Sequence, residues 1–519
     1  MEARIRWRRS FPNNPKKGGS IMKRRLSFSV LMVSICLAFL AAPAAAKAPD
    51  TLVVMQEAEP VGLDLMQSSI QTTMSVCYNI HDTLFHPQED ATVKPALAEK
   101  WEKVDDTTWK ITLRRDAVFH NGEPINAAAV KFSFDRSNKK ELKNPHQGKL
   151  SAFTALDVID DFTFTIKTGQ PYAPGLYMLG YYLPIVPPKY IQDVGDAKYN
   201  TDPIGSGPYL LKKWVRGEEI VLEAFDKYYG PKPPYKAVIF KANPEEASRI
   251  ASLATGEADV ISGVPVHQRK KIADSGKAYL TSQMGTMPYL GLNTYEAPFN
   301  DVRVRQAVNY AIDKELINKA LFDGKGILCH GAISPRTFGA SPGLKPYPYD
   351  PEKARTLLKE AGHADGLAVR LAYPTYMTQI QEQAEAISAN MSKAGFKVTL
   401  EPFERAVMWE RYKGKQHQMF IYFWDDAPEP DRYVYPLFHS KSRDYYYKNP
   451  TVDDLLDKGR TILDRGERAK VYAQVDEILY KEAPWAFLYV VPEVFGVSNG
   501  VNYEGRRDGF LNMRYAKPK

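Results

Sequence analysis

Hydrophobic positions change their period part-way along the chain. Between Thr51 and about Ala242 they recur at every second residue. Trp109, Ile111 and Leu113 alternate with Thr108, Lys110, Thr112 and Arg114, and Phe162, Phe164 and Ile166 alternate with Thr163 and Thr165. Alternate residues of a strand face the same side, so both runs predict half-buried strands. Asn121-Gly122, between Phe119 and Ile125, predicts a tight turn because both residues tolerate positive φ. Beyond Asn293 helical spacing and strand runs take turns. Asn300-Asp301 predicts the cap of a helix through Ala311, Asp313 opens a second ending near Gly324, and Asp350-Pro351 starts a third that stops before Gly362.

Residues 367–424 read strand (LAVRLAY), helix (Gln379 to Ala394), strand (FKVTLE), helix (Arg405 to Tyr412) and strand (QMFIYFW). Strands joined by helices imply a parallel sheet, and ligands of open α/β sheets bind at the carboxyl ends of the strands. Two loops begin at such ends: Pro374-Thr375-Tyr376-Met377-Thr378, and the run from Trp424 through Asp425, Asp426, Ala427, Pro428, Glu429 and Pro430 to Asp431. They are expected to face one cleft. The second loop places four carboxylates beside Trp424, Tyr422, Tyr433 and Tyr435. An acid in a partly desolvated aromatic cleft suits an ammonium group, with a charge-assisted hydrogen bond contributing about 1.5–3 kcal/mol. A solvated turn rich in Asp and Pro accounts for the same residues equally well.

The N-terminal segment fixes the compartment. In MKRRLSFSVLMVSICLAFLAAPAAA, Lys23, Arg24 and Arg25 form a charged region, Leu26 to Leu40 an apolar one, and Ala44-Ala45-Ala46 a cleavage site. This pattern predicts a secretory signal peptide, removed to leave a mature chain from Lys47; the apolar run falls short of the roughly 20 residues of a spanning helix. Residues 1–46 hold nine Lys/Arg and one acid, so the net charge of +8 belongs to the precursor and the mature chain is formally neutral. Charge therefore gives no argument for a nucleic acid or an anionic membrane surface.

About 473 residues remain, enough for two or three lobes, with a composition (44% hydrophobic, 25% charged over the whole chain) ordinary for a globular protein. Cys77 and Cys329 survive cleavage; a disulfide is permitted, and separate buried thiols are the simpler expectation. Cys36, in the context VSIC, is a poor lipoprotein cleavage box. No usable G-x-S-x-G, H-E-x-x-H or S-x-x-K constellation supports a hydrolase. Cys329-His330 are adjacent rather than spaced as metal ligands, and His267, His363 and His417 form no local cluster. Gly205-Ser206-Gly207 lacks the Lys and the helix of a phosphate loop and predicts a tight turn instead. Tyr445-Tyr446-Tyr447 reads as packing surface.

From Asp50 to Tyr515 the chain resembles the large peptide/nickel class of extracytoplasmic solute-binding proteins that serve ABC transporters. The resemblance is carried by Pro95-Ala-Leu-Ala-Glu-Lys-Trp101 with the following TWKITLRRDAVFHNGEPINAAAVKFSFDR, the Gly205-Ser-Gly-Pro-Tyr209 turn with its downstream YYG, RIASLATGEADV, LNTYEAPFNDVRVRQAVNYAID and YPYDPEKARTLLKEAG. Their order and spacing together are specific. The resemblance implies an α/β, two-lobed, hinged periplasmic-binding-protein fold with an extra inserted subdomain in lobe I. Crossings near Tyr289 to Asn293 and near Phe487 to Val491 put lobe I at 47–291 plus 489–519 and lobe II at 292–488. Hinge closure would bury the solute and create the shape that membrane partners read.

In peptide-binding members an aspartate shortly after a Trp, four residues before the Pro of an acidic-Pro pair, anchors the peptide amine. That count lands on Asp426, although the spacing from Trp424 is one residue short and leaves Asp425 as the alternative. Dipeptide binders carry an arginine for the ligand carboxylate where this chain reads PTYMTQ, with Tyr376 and Met377. A longer peptide, a glutathione-like peptide or another amine-bearing solute gains weight accordingly. Glu57, after TLVVMQ, is a further candidate wall of the cleft. The resemblance thus implies a monomeric, non-catalytic periplasmic protein without cofactor, delivering a peptide or related solute to ABC importer permease subunits. Opines, oligosaccharides, nickel and haem are the alternative solutes.

Overall fold

The computed structural model describes residue 48 and residues 50–519, apart from 378 and 443–445. The N-terminal extension, the signal-peptide segment with Cys36, Thr378 and Tyr445 lie outside the described residues. Strand β1 (Thr51–Gln56) is apolar almost throughout and buried from Leu52 onward, as a strand covered on both faces requires. A separate four-stranded antiparallel sheet follows, built from β2 (Ala98–Lys103), β3 (Thr108–Leu113), β4 (Phe153–Asp160) and β5 (Thr163–Thr168) in the order β2-β3-β5-β4. Ile111 and Leu113 of β3 and Phe164 and Ile166 of β5 are buried, which is the alternation expected from the sequence. Gly122 has φ +86°, and Val118 bridges Pro124 across the predicted turn.

The chain then joins the main sheet through β6 (Tyr209–Val215), β7 (Glu219–Ala224), β8 (Ala237–Ala242) and β9 (Val260–Ile261). Next comes β10 (Ala278–Leu292), 15 residues long. Strands β11 (Leu367–Pro374), β12 (Phe396–Phe403), β13 (Met419–Asp425) and β14 (Tyr489–Ser498) complete it. Twelve strands lie in the order β12-β11-β13-β10-β14-β9-β1-β8-β7-β6, with Ile327–Leu328 and Trp485–Ala486 pairing off that path. β11 is parallel to both β12 and β13, as the strand-helix alternation predicts. β10 runs antiparallel to β14 from Ala278 to Thr286 and to β13 from Thr286 to Leu292, with a register shift between Met284 and Thr286. One long strand therefore carries hydrogen bonds on two sides in succession.

The apolar side chains separate along these strands. Leu52, Val54, Phe119, Phe164 and Val238 share a core with Phe495, Val497, Tyr503 and Met513. Leu290, Val304, Val308, Leu371, Ile387 and Ile421 share another with Leu488 and Tyr489. β14 thus starts in the second core and ends in the first. The capping residues act as predicted: Asp301, Asp313 and Asp350 accept backbone N–H bonds at the starts of helices Val302–Ala311, Lys314–Phe322 and Pro351–Glu360. The Gly205-Ser-Gly-Pro-Tyr209 segment packs against the end of helix Gln71–Ile80, with Gly207 N–H donating to Ile80 O at 2.8 Å. A Cβ on Gly205 would stand 2.0 Å from that same oxygen, so close backbone approach explains the glycine. Cys77 and Cys329 are buried free thiols. Among the described residues no helix is long and apolar enough to cross a membrane.

Candidate functional site

Trp424 and Asp425 are the last residues of β13, and the acidic loop begins where the strand stops. Asp426 N–H donates to Gly285 O at 3.0 Å, which ties the loop to the register shift in β10. Glu429 accepts from Asp431 N–H at 3.0 Å and opens the turn Pro430–Arg432. This is no solvated turn: Asp426, Glu429 and Asp431 are 1%, 1% and 2% exposed. Each buried carboxylate is met by a guanidinium, as burial of charge demands. Arg507 reaches Asp426 through Nε (3.1 Å to Oδ2) and Nη2 (3.2 Å to Oδ1), and Arg336 Nη1 lies 3.1 Å from Oδ2. Arg468 forks onto Glu429 at 2.8 and 2.5 Å. Arg460 sits 2.9 Å from Asp431, whose other oxygen accepts from Tyr172 O–H at 3.1 Å. Asp425 is paired closely with Arg432.

Residues distant in sequence close over this loop. The Arg432 guanidinium lies 3.9 Å from the centre of the Tyr181 ring, and its Nε donates to Tyr182 Oη at 2.9 Å. Burial opposes the charge on Arg432, and Asp425 more than compensates, holding the group well above its ordinary range. Lys149 Nζ donates to the carbonyl of Arg432 and lies 5.6 Å from the centre of the Trp424 ring. Ala173 N–H donates to Arg460 O at 2.7 Å. Tyr172, Tyr181 and Tyr182 belong to the first core, so residues of that core meet the acidic loop.

The other predicted residues occupy separate places. Tyr376 and Met377 follow β11, the neighbour of β13. The Arg405 guanidinium covers the Tyr376 ring at 4.0 Å, and Met377 packs on the second core. Among the described residues no hydrogen bond or ion pair joins either to Asp426. Glu57 follows β1 and lies beside Gly263, which follows the parallel strand β9; a Cβ on Gly263 would meet Glu57 Oε1 at 2.0 Å. Burial raises the Glu57 carboxyl above its usual range, and Arg249 partly offsets the shift.

Sequence reasoning missed Arg336, Arg507 and Glu493. Glu493 of β14 accepts from Gln71 Nε2 at 2.8 Å and is pushed up to about 8 by burial and then by the charge of Glu57. Its Oε2 would stand 3.0 Å from a Cβ on Gly285, so Glu493 and Asp426 both adjoin that glycine. No local signal marks these three residues, because their side-chain partners Asp426 and Gln71 lie 81 or more positions away; the glycines at 285 and 509, where a Cβ would meet Glu493, are a trace of the close packing. No group of three or more His, Cys, Asp or Glu is placed to hold a metal among the described residues.

Residues 92–445 match the family model for bacterial extracellular solute-binding proteins, family 5. The chain is 29% identical over 481 residues to the dipeptide-binding protein of Escherichia coli K12, spanning 85% of this chain and 89% of that protein. It is 28% identical over 448 residues to the glutathione-binding protein GsiB of Salmonella choleraesuis, spanning 82% and 86%. Among solved structures, the periplasmic binding protein DppA of Helicobacter pylori in complex with peptide STSA superposes with a TM-score of 0.79 at 25% identity, over 90% of this chain and 98% of that one. The fold is accordingly the two-lobed periplasmic-binding-protein fold, and the chain belongs to the bacterial extracellular solute-binding proteins of family 5.

Proposed function

We propose that this protein is the solute-receiving component of an ABC importer, working in the periplasm after removal of residues 1–46. It captures a peptide or related amine-bearing solute between lobe I (47–291 with 489–519) and lobe II (292–488) and presents it to the permease as a monomer. Binding, not catalysis, is its task. Asp426 is the group that receives the ligand ammonium, with Trp424, Tyr376, Met377 and Glu57 on the surrounding walls and Asp425 held by Arg432.

The observation that carries this reading is the bonding of Asp426. A carboxylate has about four lone-pair positions. Oδ2 accepts from Arg336 and Arg507, whereas among the described residues Oδ1 accepts from Arg507 alone. A buried acceptor with capacity left on one oxygen, at the carboxyl end of a strand, suits a charge-assisted bond to an ammonium. The kinds of ligand named for the E. coli, Salmonella and H. pylori relatives agree with a peptide-like solute.

The test is a thermal-shift and calorimetric series on the mature chain, Lys47 to Lys519, with di-, tri- and longer peptides, glutathione, opines, oligosaccharides, Ni²⁺ and haem. Ligand at 100 times its Kd adds about 2.7 kcal/mol to stability, a readable rise in Tm. Asp426→Asn is expected to weaken N-terminally free peptides about tenfold or more. Equal affinity of the wild type for free and N-acetylated peptide would remove Asp426 from the amine-anchoring role.

A further inference from the structure

Asp64, Asp82, Asp426, Glu429 and Asp431 are buried carboxylates, and each faces a guanidinium: Arg136, Arg514, Arg507, Arg468 and Arg460 in turn. Glu493 faces none. Its hydrogen bond among the described residues comes from the neutral amide of Gln71, at 2.8 Å to Oε2, and Oε1 accepts nothing. Beyond burial, the charges that act on it are those of Glu57 and Asp508, both acidic. Arg506 is turned to Asp508, with Nε 3.1 Å from Oδ1, and the Tyr503 phenol, which feels Glu493, donates to Phe510 O at 3.3 Å. Arg249 attracts Glu57 but spends its donors on the carbonyls of Asn243, Pro244, Ser262 and Gly263. Glu57, exposed, and Glu493, half-buried, therefore repel one another with no cation of the protein between them.

The surroundings fit a cation from outside. Gly509 keeps the space beside Glu493 clear, since a Cβ there would stand 2.4 Å from Oε2. The next residue, Phe510, stacks on Tyr78 with centroids 5.1 Å apart and lies 6.1 Å from the Tyr181 ring. Tyr181 is 5% exposed, yet its Oη has no hydrogen-bond partner among the described residues. Beyond burial, the charges of Arg432, Asp508 and Asp425 all act on that phenol, so it lies between the acidic loop after β13 and the segment beside Glu493. A buried hydroxyl left without a hydrogen bond is costly unless something fills it. Gln56, 1% exposed and next to Glu57, likewise leaves Oε1 unpartnered. Unspent oxygens beside aromatic faces suit a cation rich in N–H donors.

We infer that Glu493 and Glu57 receive a positively charged group of the solute other than an α-amine, a guanidinium or a primary ammonium, with one of its N–H donors on Tyr181 Oη. This rests on the reading that the solute lies between the lobes and is independent of Asp426. It adds a demand that the peptide reading does not make: charge on the solute away from its amino terminus. Without a cation the proton stays on Glu493 up to about 8. A bound cation favours the carboxylate, so binding at pH 7 releases a proton and affinity rises with pH toward 8.

Citrulline replaces the guanidinium of arginine by a neutral urea of the same length, so calorimetry of the mature wild type with Ala-Arg-Ala and Ala-citrulline-Ala isolates the charge. The arginine peptide is expected to bind about tenfold more tightly or better at pH 8. At pH 7 its binding enthalpy should vary with the ionisation enthalpy of the buffer, as release of a proton requires. Glu493→Gln should bring the preference below about threefold and abolish the proton release while the citrulline peptide still binds; Glu57→Gln should lower the preference in part. Equal affinity of the wild type for the two peptides, or an unchanged ratio in E493Q, overturns the inference and leaves the peptide-binding reading intact. Agmatine, a guanidinium without a peptide, separates the remaining cases. Binding of agmatine that E493Q abolishes, with both peptides failing, upholds the inference and removes the peptide reading, whereas failure of all three probes overturns both.

Discussion

Tyr289 of β10 and Trp485 lie ring on ring, with centroids 3.8 Å apart and planes 10° from parallel. Trp485 is 5% exposed and also meets the Phe438 ring at 4.5 Å. Removing the indole leaves a cavity between Tyr289 and Phe438. Trp485→Ala is expected to cost about 3–5 kcal/mol, and Trp485→Phe appreciably less. Chemical denaturation followed by far-ultraviolet circular dichroism measures both, and a loss under 1 kcal/mol for the alanine variant would contradict the packing described.

Asn309 serves the same strand through its amide. Nδ2 donates to Trp485 O at 2.8 Å and Oδ1 accepts from Phe487 N–H at 3.1 Å, with the side chain fully buried. Asn309→Leu orphans a carbonyl and an N–H at once, at about 1–3 kcal/mol each. Equilibrium unfolding should show a combined loss larger than that of any exposed Asn→Leu substitution made alongside as a control.

Glu493 sets a pH dependence whose sign follows from its raised carboxyl. The folded state holds this proton up to about 8, whereas the unfolded chain releases it near 4.5. Between those values the native state binds more protons, so Glu493 stabilises fully below pH 4.5 and its contribution is lost as pH rises through 8. Glu493→Gln, which cannot ionise, should match the wild type at pH 5 and exceed it at pH 9, by on the order of 1–3 kcal/mol. Tm curves that stay parallel across that range would show that Glu493 does not titrate as described.

Cys77 and Cys329 are 0% and 2% exposed, and burial raises both thiols well above their ordinary range. A disulfide reagent such as Ellman's should find no reactive thiol in the native mature chain. In guanidinium chloride it should find two, since buried neutral thiols are inert. Rapid native labelling of either cysteine would contradict the burial.

Gly205 is held by contact, not by turn geometry alone. The 2.0 Å approach of a Cβ to Ile80 O involves backbone on both sides, so neither partner yields cheaply. Gly205→Ala is expected to destabilise by about 1–3 kcal/mol. Gly122→Ala offers a comparison, because only the positive φ is at stake there and nothing lies within 4 Å. The urea midpoint of the Gly205 variant should fall below that of the Gly122 variant.

Local features were legible in the sequence and long-range pairing was not. The caps Asp301, Asp313 and Asp350 act on N–H groups two or three residues away, and the β11-β12-β13 alternation is written into periodicities of 2 and 3.6. The acidic loop was visible as composition and as resemblance. Its counter-ions were not: Arg336, Arg460, Arg468 and Arg507 come from four other segments, and one of them, Arg507, follows β14. The register of β10 against two partners was equally hidden, since its apolar pattern does not reveal that Gly285 is where the pairing slips.

That slip decides where β10 changes partners. A bulge bends its strand and increases its twist, so β10 turns at Gly285, between its ladder with β14 and its ladder with β13. The carbonyl of Gly285 also holds the backbone N–H of Asp426. With Asp426 as the proposed ligand contact, the bend of β10 and the solute are one hydrogen bond apart. A solute held by Asp426 would be felt at the bend of β10 through the Gly285 carbonyl, without an intervening side chain.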